Sequence, residues 1–318
     1  MSVIPVDFRA LYPNGSSHAH AGSLPALSPT VLGASLYVPA SRPDLAAVAH
    51  GQKRPSIRSL IFCTEDALHE RDLDTALNRL AALLPALDAG PSLRFIRPRT
   101  PAVLRRLLRM DGIERIQGFV LPKIGPRTLS DWLRVWEDRH GHWLLPILET
   151  AETFDRGQME RLRARLEDSG LRERVLGLRI GGNDLLNVLG IRRARGATIY
   201  DTPLRGVIAD LVCIFHPAGY RLSAPVFERL DTPEVLAREV EADLQHGLIG
   251  KTAIHPIQIP VIEDLYRVSR EDYDLAAAVL APEAAAVFKL HGTFCEPATH
   301  HRWAAGVLER ARVFGVAG

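Results

Sequence analysis

Short runs of apolar residues alternate along the chain with longer segments in which apolar positions recur at helical spacing. The runs are continuous rather than alternating, which is typical of strands buried on both faces of a parallel sheet. Most of them are followed by Pro or by charged residues. There are eight such runs: SLYV at 35–38, SLIFC at 59–63, LRFI at 93–96, GFVL at 118–121, WLLPIL at 143–148, VLGLRI at 175–180, LSAPVF at 222–227 and KTAI at 251–254.

The segments between these runs predict helices. The clearest is DTPEVLAREVEADLQHG at 231–247. Asp231 or Thr232 is expected to cap the start of this helix, and Gly247 is expected to end it. Residues 203–218 are apolar enough to contain a strand, but their length and their place before the run at 222–227 favour a helix.

Strands and helices that alternate eight times predict a closed (β/α)8 barrel, the TIM barrel, rather than an open sheet. Residues 1–30 are rich in Pro, Ser, Gly and His and are expected to form a loosely ordered N-terminal arm. The barrel, which is the expected catalytic domain, is assigned to residues 31–268. Residues 269–318 are expected to form a C-terminal helical extension at an oligomer contact.

Composition narrows the classes of function. Apolar residues make up 47% of the sequence, charged residues 24%, and the net charge is +2. Nucleic-acid binding proteins usually concentrate positive charge on one face, so no nucleic-acid partner is expected. No apolar run reaches the length of a membrane helix, so no membrane association is expected. The three cysteines form no CxxC pair, which is typical of reduced thiols and predicts a cytoplasmic protein.

Ionisable residues follow nearly every apolar run. In a (β/α)8 barrel the catalytic residues lie at the C-terminal ends of the strands, so these positions are the candidates for an active site. The candidates are Arg42, Glu65, Asp66, Arg97, Arg99, Lys123, Glu149, Asp184 and His255.

Two of these candidates predict a metal site. Glu149 and Asp184 end neighbouring strands, and Mg²⁺ is commonly held by one or two carboxylates while water and substrate oxygens complete its coordination. Arg97, Lys123 and Arg42 are the candidate substrate-binding cations, placed to face the negative charge of a carboxylate or an enolate. The alternative is that these charged groups pair with one another at a solvated barrel rim.

Six segments resemble the citrate lyase beta-subunit-like family, which belongs to a wider group of Mg-dependent carbon–carbon lyases and aldolases with TIM barrels. The resemblance runs from about Leu32 to Glu296, in the family's order and spacing. The segments are SLYVPASRP (35–43), TEDAL (64–68), VLPK (120–123), ILET (147–150), GGNDLLNVLG (181–190) and GKTAIHPIQ (250–258).

The resemblance implies roles for individual residues. Glu149 in ILET and Asp184 in GGND match the metal-binding residues of the family. Arg97 matches its catalytic and substrate-binding arginine, and Glu65 and Asp66 match its acidic pair after the second strand.

A further acidic residue matches outside the barrel. Glu296 corresponds to a residue that relatives contribute across a subunit contact, where Asp is usual, and it is the candidate acid/base. The segment Lys251 to Pro256 matches the signature before the last barrel helix.

The chain also departs from the family pattern. Relatives usually have a basic residue where this chain has Gly33-Ala34, an Asp where it has Cys63, and often a Glu where it has Asn183. These differences leave the use of coenzyme A open and give no support for citryl or malyl specificity.

The resemblance predicts a Mg²⁺-dependent lyase or aldolase that acts on a 2-oxo or hydroxy carboxylic acid. A coenzyme A thioester is a possible co-substrate, and a free 2-oxo acid aldolase is an alternative within the same class. The alternative from another class is a non-catalytic or partner-dependent barrel subunit with a binding or regulatory role. A homo-oligomer, a trimer or a multiple of three, is expected by family likeness.

Overall fold

The computed structural model describes residues 27–53, 57–90, 92–137 and 139–318. Nearly all of the predicted N-terminal arm lies outside these residues. Within them, eight strands occur at the positions of the eight apolar runs. Their bounds are β1 Ala34–Pro39, β2 Ser59–Cys63, β3 Leu93–Arg97, β4 Gly118–Leu121, β5 Trp143–Leu148, β6 Leu178–Ile180, β7 Leu222–Ser223 and β8 Lys251–Ala253.

The strands form one parallel sheet in the order β7-β6-β5-β4-β3-β2-β1-β8. A parallel bridge between Ala224, directly after β7, and Lys251 in β8 joins the two edges of the sheet. The amide of Ala224 donates to the carbonyl of Gly250 at 3.0 Å across the same junction. The predicted (β/α)8 barrel is therefore confirmed.

Helices cover the outside of the barrel. Helix α7 (Leu204–Phe215) confirms the helical prediction for residues 203–218. Helix α8 (Pro233–Gln245) confirms the one for 231–247, and Gly247 ends it at a φ of 72°. The expected side-chain cap of α8 is wrong, because Thr232 makes no capping hydrogen bond. The helices are α1 Leu45–Ala49, α2 Leu73–Leu83, α3 Pro101–Leu107, α4 Leu129–Leu133, α5 Arg156–Asp168, α6 Gly182–Val188, α7 Leu204–Phe215, α8 Pro233–Gln245 and α9 Gln258–Leu265.

The inside of the barrel is divided into an apolar and a polar half. Side chains from β2 to β5 pack into an apolar cluster that includes Ile61, Phe95, Val120, Leu145 and Ile147. The other strands place small hydroxyl groups and one arginine at buried or half-buried positions. The members of this polar half are Ser35, Arg179, Ser223 and Thr252.

A buried ion cluster lies beside β8. The ammonium of Lys251 is 2.9 Å from Glu239 Oε1 and 2.7 Å from Asp243 Oδ2, and all three side chains are buried. Arg193 donates to the same Glu239 at 2.5 Å. The lysine that opens the segment Lys251 to Pro256 therefore holds α8 against the barrel.

The C-terminal extension contains two helices, α10 Arg270–Val279 and α11 Pro297–Phe314, which share a small apolar core. A hairpin of β9 Phe288–Leu290 and β10 Thr293–Cys295, which was not predicted, lies between these two helices. Across the described ranges, no helix combines the length and the apolar character needed to cross a membrane.

Candidate active site

A cleft of about 420 Å³ opens at the C-terminal ends of the barrel strands. Four of the residues predicted from the strand ends lie on its walls. They are Asp66 after β2, Arg97 in β3, Glu149 after β5, and Asp184 in the first turn of α6. The barrel therefore brings together side chains that are up to about 120 positions apart in the chain, as strand-end geometry requires.

The carboxylate of Glu149 is held in place by backbone on two sides. Its Oε1 accepts a hydrogen bond of 2.8 Å from the amide of Lys123, whose backbone adopts a left-handed φ of 54°. Such a conformation is costly for a residue other than glycine and is often found at functional sites. On the other side, the backbone of Gly181 passes so close that a Cβ there would lie 2.4 Å from Glu149 Oε2.

The environment of Glu149 disfavours the charged form of its carboxylate. Burial and the nearby charge of Asp184 raise the pKa of Glu149 to about 8. A divalent cation between the two carboxylates would relieve this repulsion, and their hard oxygen donors suit Mg²⁺.

The described residues contain no group of three or more His, Cys, Asp or Glu side chains arranged around a metal position. A site with only two protein carboxylates leaves the remaining positions to water and substrate, which is common for Mg²⁺. The donors present therefore fit that ion.

Arg97 is held across the cleft by contacts on several sides. Its Nη1 lies 3.0 Å from Glu65 Oε2 and 3.5 Å from Asp66 Oδ2. Its Nε and Nη2 donate to the sulfur of Cys63 at 3.2 and 3.1 Å, and its guanidinium lies 5.0 Å from the ring centroid of Tyr37. These contacts fix the guanidinium, which has 8% of its surface exposed at the cleft.

The pKa values of the two carboxyl groups after β2 are shifted in opposite directions. Burial opposes the charge of Glu65, but the hydrogen bond with the Asp66 side chain, the charge of Arg97 and the ammonium of Lys123 together lower the pKa of Glu65 to about 2. Burial, the hydrogen bond with Glu65 and its charge raise the pKa of Asp66 to about 6. Arg97 and Lys123 therefore favour the charged form of Glu65, and the charge of Glu65 in turn favours the protonated form of Asp66.

A sequence profile of the family described as C–C bond lyase of the TIM-barrel fold matches residues 26–316. The chain belongs to this family. A comparison with curated protein sequences found no significant match.

Solved structures similar to this lyase-family chain include the citrate lyase beta subunit. The protein CitE from Mycobacterium tuberculosis, in complex with magnesium, acetoacetate and coenzyme A, is 24% identical with a TM-score of 0.65, over 89% of this chain and 99% of that one. The citrate lyase beta subunit from M. tuberculosis, complexed with oxaloacetate and magnesium, is 21% identical with a TM-score of 0.58, over 76% and 100% of the two chains. RipC from Yersinia pestis is 21% identical with a TM-score of 0.55, over 74% and 95%. At these identities the similarity shows a shared fold.

Two predicted site residues lie away from the cleft in the lyase-family chain. Arg42 forms an ion pair with Asp44 at 2.8 Å in the loop after β1 and does not line the cleft. Glu296 precedes α11, where its carboxylate accepts a hydrogen bond of 3.3 Å from Thr299. Their roles in substrate binding and acid/base catalysis stay predictions, and for Glu296 the prediction requires a second copy of the chain.

The structure adds residues that the strand-end search missed. Tyr37, Arg179 and Thr252 line the cleft from inside the barrel, one layer below the strand ends. The sequence carried a sign of one of them, because Arg179 is a charged residue within the apolar run VLGLRI. Gly181 was also missed as a determinant of where Glu149 lies.

Proposed function

We propose that this member of the lyase family makes or breaks a carbon–carbon bond next to the carboxylate of a 2-oxo or hydroxy acid, with Mg²⁺ as its cofactor. The observation that carries the proposal is the arrangement of Glu149 and Asp184 on one cleft with Arg97. Burial and the neighbouring carboxylate of Asp184 raise the pKa of Glu149, and the guanidinium of Arg97 is held in the same cleft by an acidic pair. Such clustered perturbed groups are typical of active sites.

Glu149 and Asp184 would hold the metal. When bound, Mg²⁺ supplies a Lewis acid and a template for the oxygens of an oxo or hydroxy acid. The protein keeps the Glu149 carboxylate aimed at this position through the amide of Lys123 and the close backbone of Gly181.

Arg97 stabilises the negative charge that develops on an enolate oxygen. A fixed donor directed at a developing oxyanion commonly contributes about 3 to 4 kcal/mol to catalysis. Glu65 keeps Arg97 oriented and also accepts a hydrogen bond of 2.5 Å from the ammonium of Lys123. Lys123 is half exposed and adds positive charge at the rim of the cleft for the substrate carboxylate.

Asp66 is the proton carrier that this single chain provides. Its carboxylate lies on the cleft, its side chain is 51% exposed, and its pKa of about 6 lies near neutral pH. A group with such a pKa exchanges protons efficiently under physiological conditions. Asp66 would accept the proton of the substrate hydroxyl at a carboxylate oxygen during cleavage and return a proton during condensation. Glu296 from a second copy is the alternative acid/base.

We also propose a coenzyme A thioester as a co-substrate, because the similar CitE structure was solved with coenzyme A.

We further propose that the protein is cytoplasmic and forms a homo-oligomer, a trimer or a multiple of three. Sedimentation of the purified full chain measures the mass of the assembly directly, and a monomer would remove the route by which Glu296 reaches a neighbouring cleft.

The test is calorimetric titration of oxaloacetate, pyruvate and glyoxylate into the protein with Mg²⁺ and with EDTA. We expect binding of at least one of these acids to the wild type with Mg²⁺ and none with EDTA. Glu149→Gln and Asp184→Asn should each abolish the metal-dependent signal. A search for the second substrate would then begin with acetyl-CoA. Absence of metal-dependent binding for all three acids would overturn the proposal and favour a non-catalytic barrel subunit.

A further inference from the structure

Arg179 is a buried cation with no carboxylate partner among the residues that the structure describes. It belongs to β6, only 2% of its surface is exposed, and it lines the cleft. Its Nη2 donates to Thr252 Oγ1 at 2.6 Å, and its Nη1 lies 3.4 Å from Ser35 Oγ. Its Nε is buried without a hydrogen-bond acceptor, and within the described part of the chain it forms no ion pair with a carboxylate.

The two arginines of the cleft, Arg97 and Arg179, differ in whether they pair with carboxylates. They lie near the same aromatic ring, with Arg97 at 5.0 Å and Arg179 at 5.5 Å from the centroid of Tyr37. Arg97 is neutralised by the acidic pair after β2. Among the described residues, Arg179 contacts the hydroxyl groups of Ser35 and Thr252 and the ring of Tyr37 but pairs with no carboxylate. A buried charge without a counter-ion is costly.

A second buried polar group that has no hydrogen-bond partner within the described ranges lies on the strand beside Arg179. Ser223 is its register partner on the neighbouring strand, and the hydroxyl of Ser223 is also buried without a partner. A buried guanidinium that lines the cleft and has an unused donor suits the oxygens of a carboxylate or a phosphate.

We propose that Arg179 and Thr252 form a second anion subsite in the cleft, so that the substrate is a dianion whose distal acid group binds inside the barrel. The inference rests on the proposed function, in which the first carboxylate binds on the side of Glu149 and Asp184. The substrate class is thereby narrowed to oxo or hydroxy acids with a second carboxylate or a phosphate.

The test compares acids that differ in the distal group. Pyruvate, oxaloacetate and phosphonopyruvate are titrated into the Mg²⁺-loaded full chain. We expect the wild type to bind at least one of the two dianions about 10- to 100-fold more tightly than pyruvate, the effect of one charged hydrogen-bonded contact. Preference for oxaloacetate identifies a dicarboxylic substrate, and preference for phosphonopyruvate identifies a phosphate-bearing one.

Arg179→Met should reduce the ratio of dianion to pyruvate affinity to near one, and Arg179→Lys should leave an intermediate ratio. Arg105→Met, which removes an exposed arginine of α3, is the matched control and should keep the wild-type ratio. Thr252→Val removes the hydroxyl that accepts from Arg179, which is a smaller change in the same subsite, and should reduce the ratio in part. An unchanged ratio in Arg179→Met, or an equal loss of affinity for pyruvate and dianions, would overturn the subsite.

The outcomes also separate this inference from the proposed function. If the wild type binds pyruvate with Mg²⁺ but shows no preference for a dianion, only the subsite fails. If none of the acids binds in a metal-dependent way, the proposed function itself fails. Thermal unfolding of metal-free Arg179→Met checks the fold, and its melting temperature should equal or exceed that of the wild type, because removal of an uncompensated buried charge is not costly.

Discussion

A Cβ atom at Gly181 would lie 2.4 Å from both Cβ and Oε2 of Glu149. The φ of Gly181 is −88°, which other residues adopt readily, so space rather than backbone conformation requires glycine here. Parallel pairing of β5 and β6 brings the two residues together, because the amide of Gly181 donates to the carbonyl of Leu148 at 3.1 Å. The sheet thus sets the position of the candidate metal ligand.

Gly181→Ala should therefore displace the Glu149 carboxylate. We expect Mg²⁺ affinity to fall at least tenfold and the free energy of unfolding to fall by about 1 to 3 kcal/mol, as is usual for overpacking. Calorimetry and urea denaturation measure the two effects. Gly206→Ala in α7 is the control, since a Cβ there meets nothing within 4 Å, and it should preserve metal binding. Unchanged Mg²⁺ affinity in Gly181→Ala would contradict the assigned role of Glu149.

Mg²⁺ binding should depend on pH through Glu149. The pKa of this group is raised to about 8 in the metal-free protein by burial and by Asp184. A metal binds the ionised carboxylate, so apparent affinity should weaken as pH falls below about 8, by up to about tenfold per pH unit. Binding near pH 7 should release close to one proton, measured by calorimetry in buffers of different ionisation enthalpy. A flat affinity between about pH 6 and 9 would contradict this linkage.

The raised pKa of Glu149 also makes the stability of the metal-free protein depend on pH. The folded-state pKa of Glu149 is raised above its unfolded value, so protonated Glu149 stabilises the fold fully below the unfolded pKa of 4.5. That contribution is lost as pH rises through about 8. Glu149→Gln mimics the neutral carboxyl. As pH rises from 4.5 to about 8, the free energy of unfolding of this variant should therefore fall less than that of the wild type.

Lys251 should be essential for stability rather than for catalysis. Its ammonium is fully buried between Glu239 and Asp243. Lys251→Met removes the cation of Asp243 and leaves Glu239 with Arg193 alone. Breaking a buried ion pair commonly costs about 3 to 5 kcal/mol. Urea denaturation of the metal-free protein measures this loss. Lys289→Met, at an exposed position in β9, is the control and should change stability by less than about 0.5 kcal/mol.

The fold could be predicted because each buried strand appears in the sequence as a continuous apolar run. The strand-end rule then located Glu149, Asp184, Arg97 and Asp66, since position along a strand determines the face on which a residue lies. The rule could not find Arg179, whose place inside the barrel depends on the neighbouring strands being lined by small hydroxyl side chains. The rule also could not predict that Arg42 pairs with Asp44, because this ion pair depends on the conformation of the loop after β1.

His216 should make the stability of the protein sensitive to acid. This residue follows α7, and burial together with the charges of Arg221 and Arg302 lowers the pKa of His216 from 6.5 to about 4. Because the folded-state pKa is depressed, the unfolded chain binds the proton more readily. The contribution of His216 is therefore fully present above about pH 6.5 and is lost as pH falls through about 4.

The measurement is urea denaturation of the wild type and His216→Gln at about pH 7.5 and about pH 5. The wild type should lose more stability over this interval than His216→Gln, because the variant has no imidazole to protonate at this position. His69→Gln, at an exposed site before α2, is the matched control and should follow the wild type. Equal losses in the wild type and His216→Gln would show that the imidazole is already protonated in the folded protein at little cost, with its charge accommodated beside the two arginines.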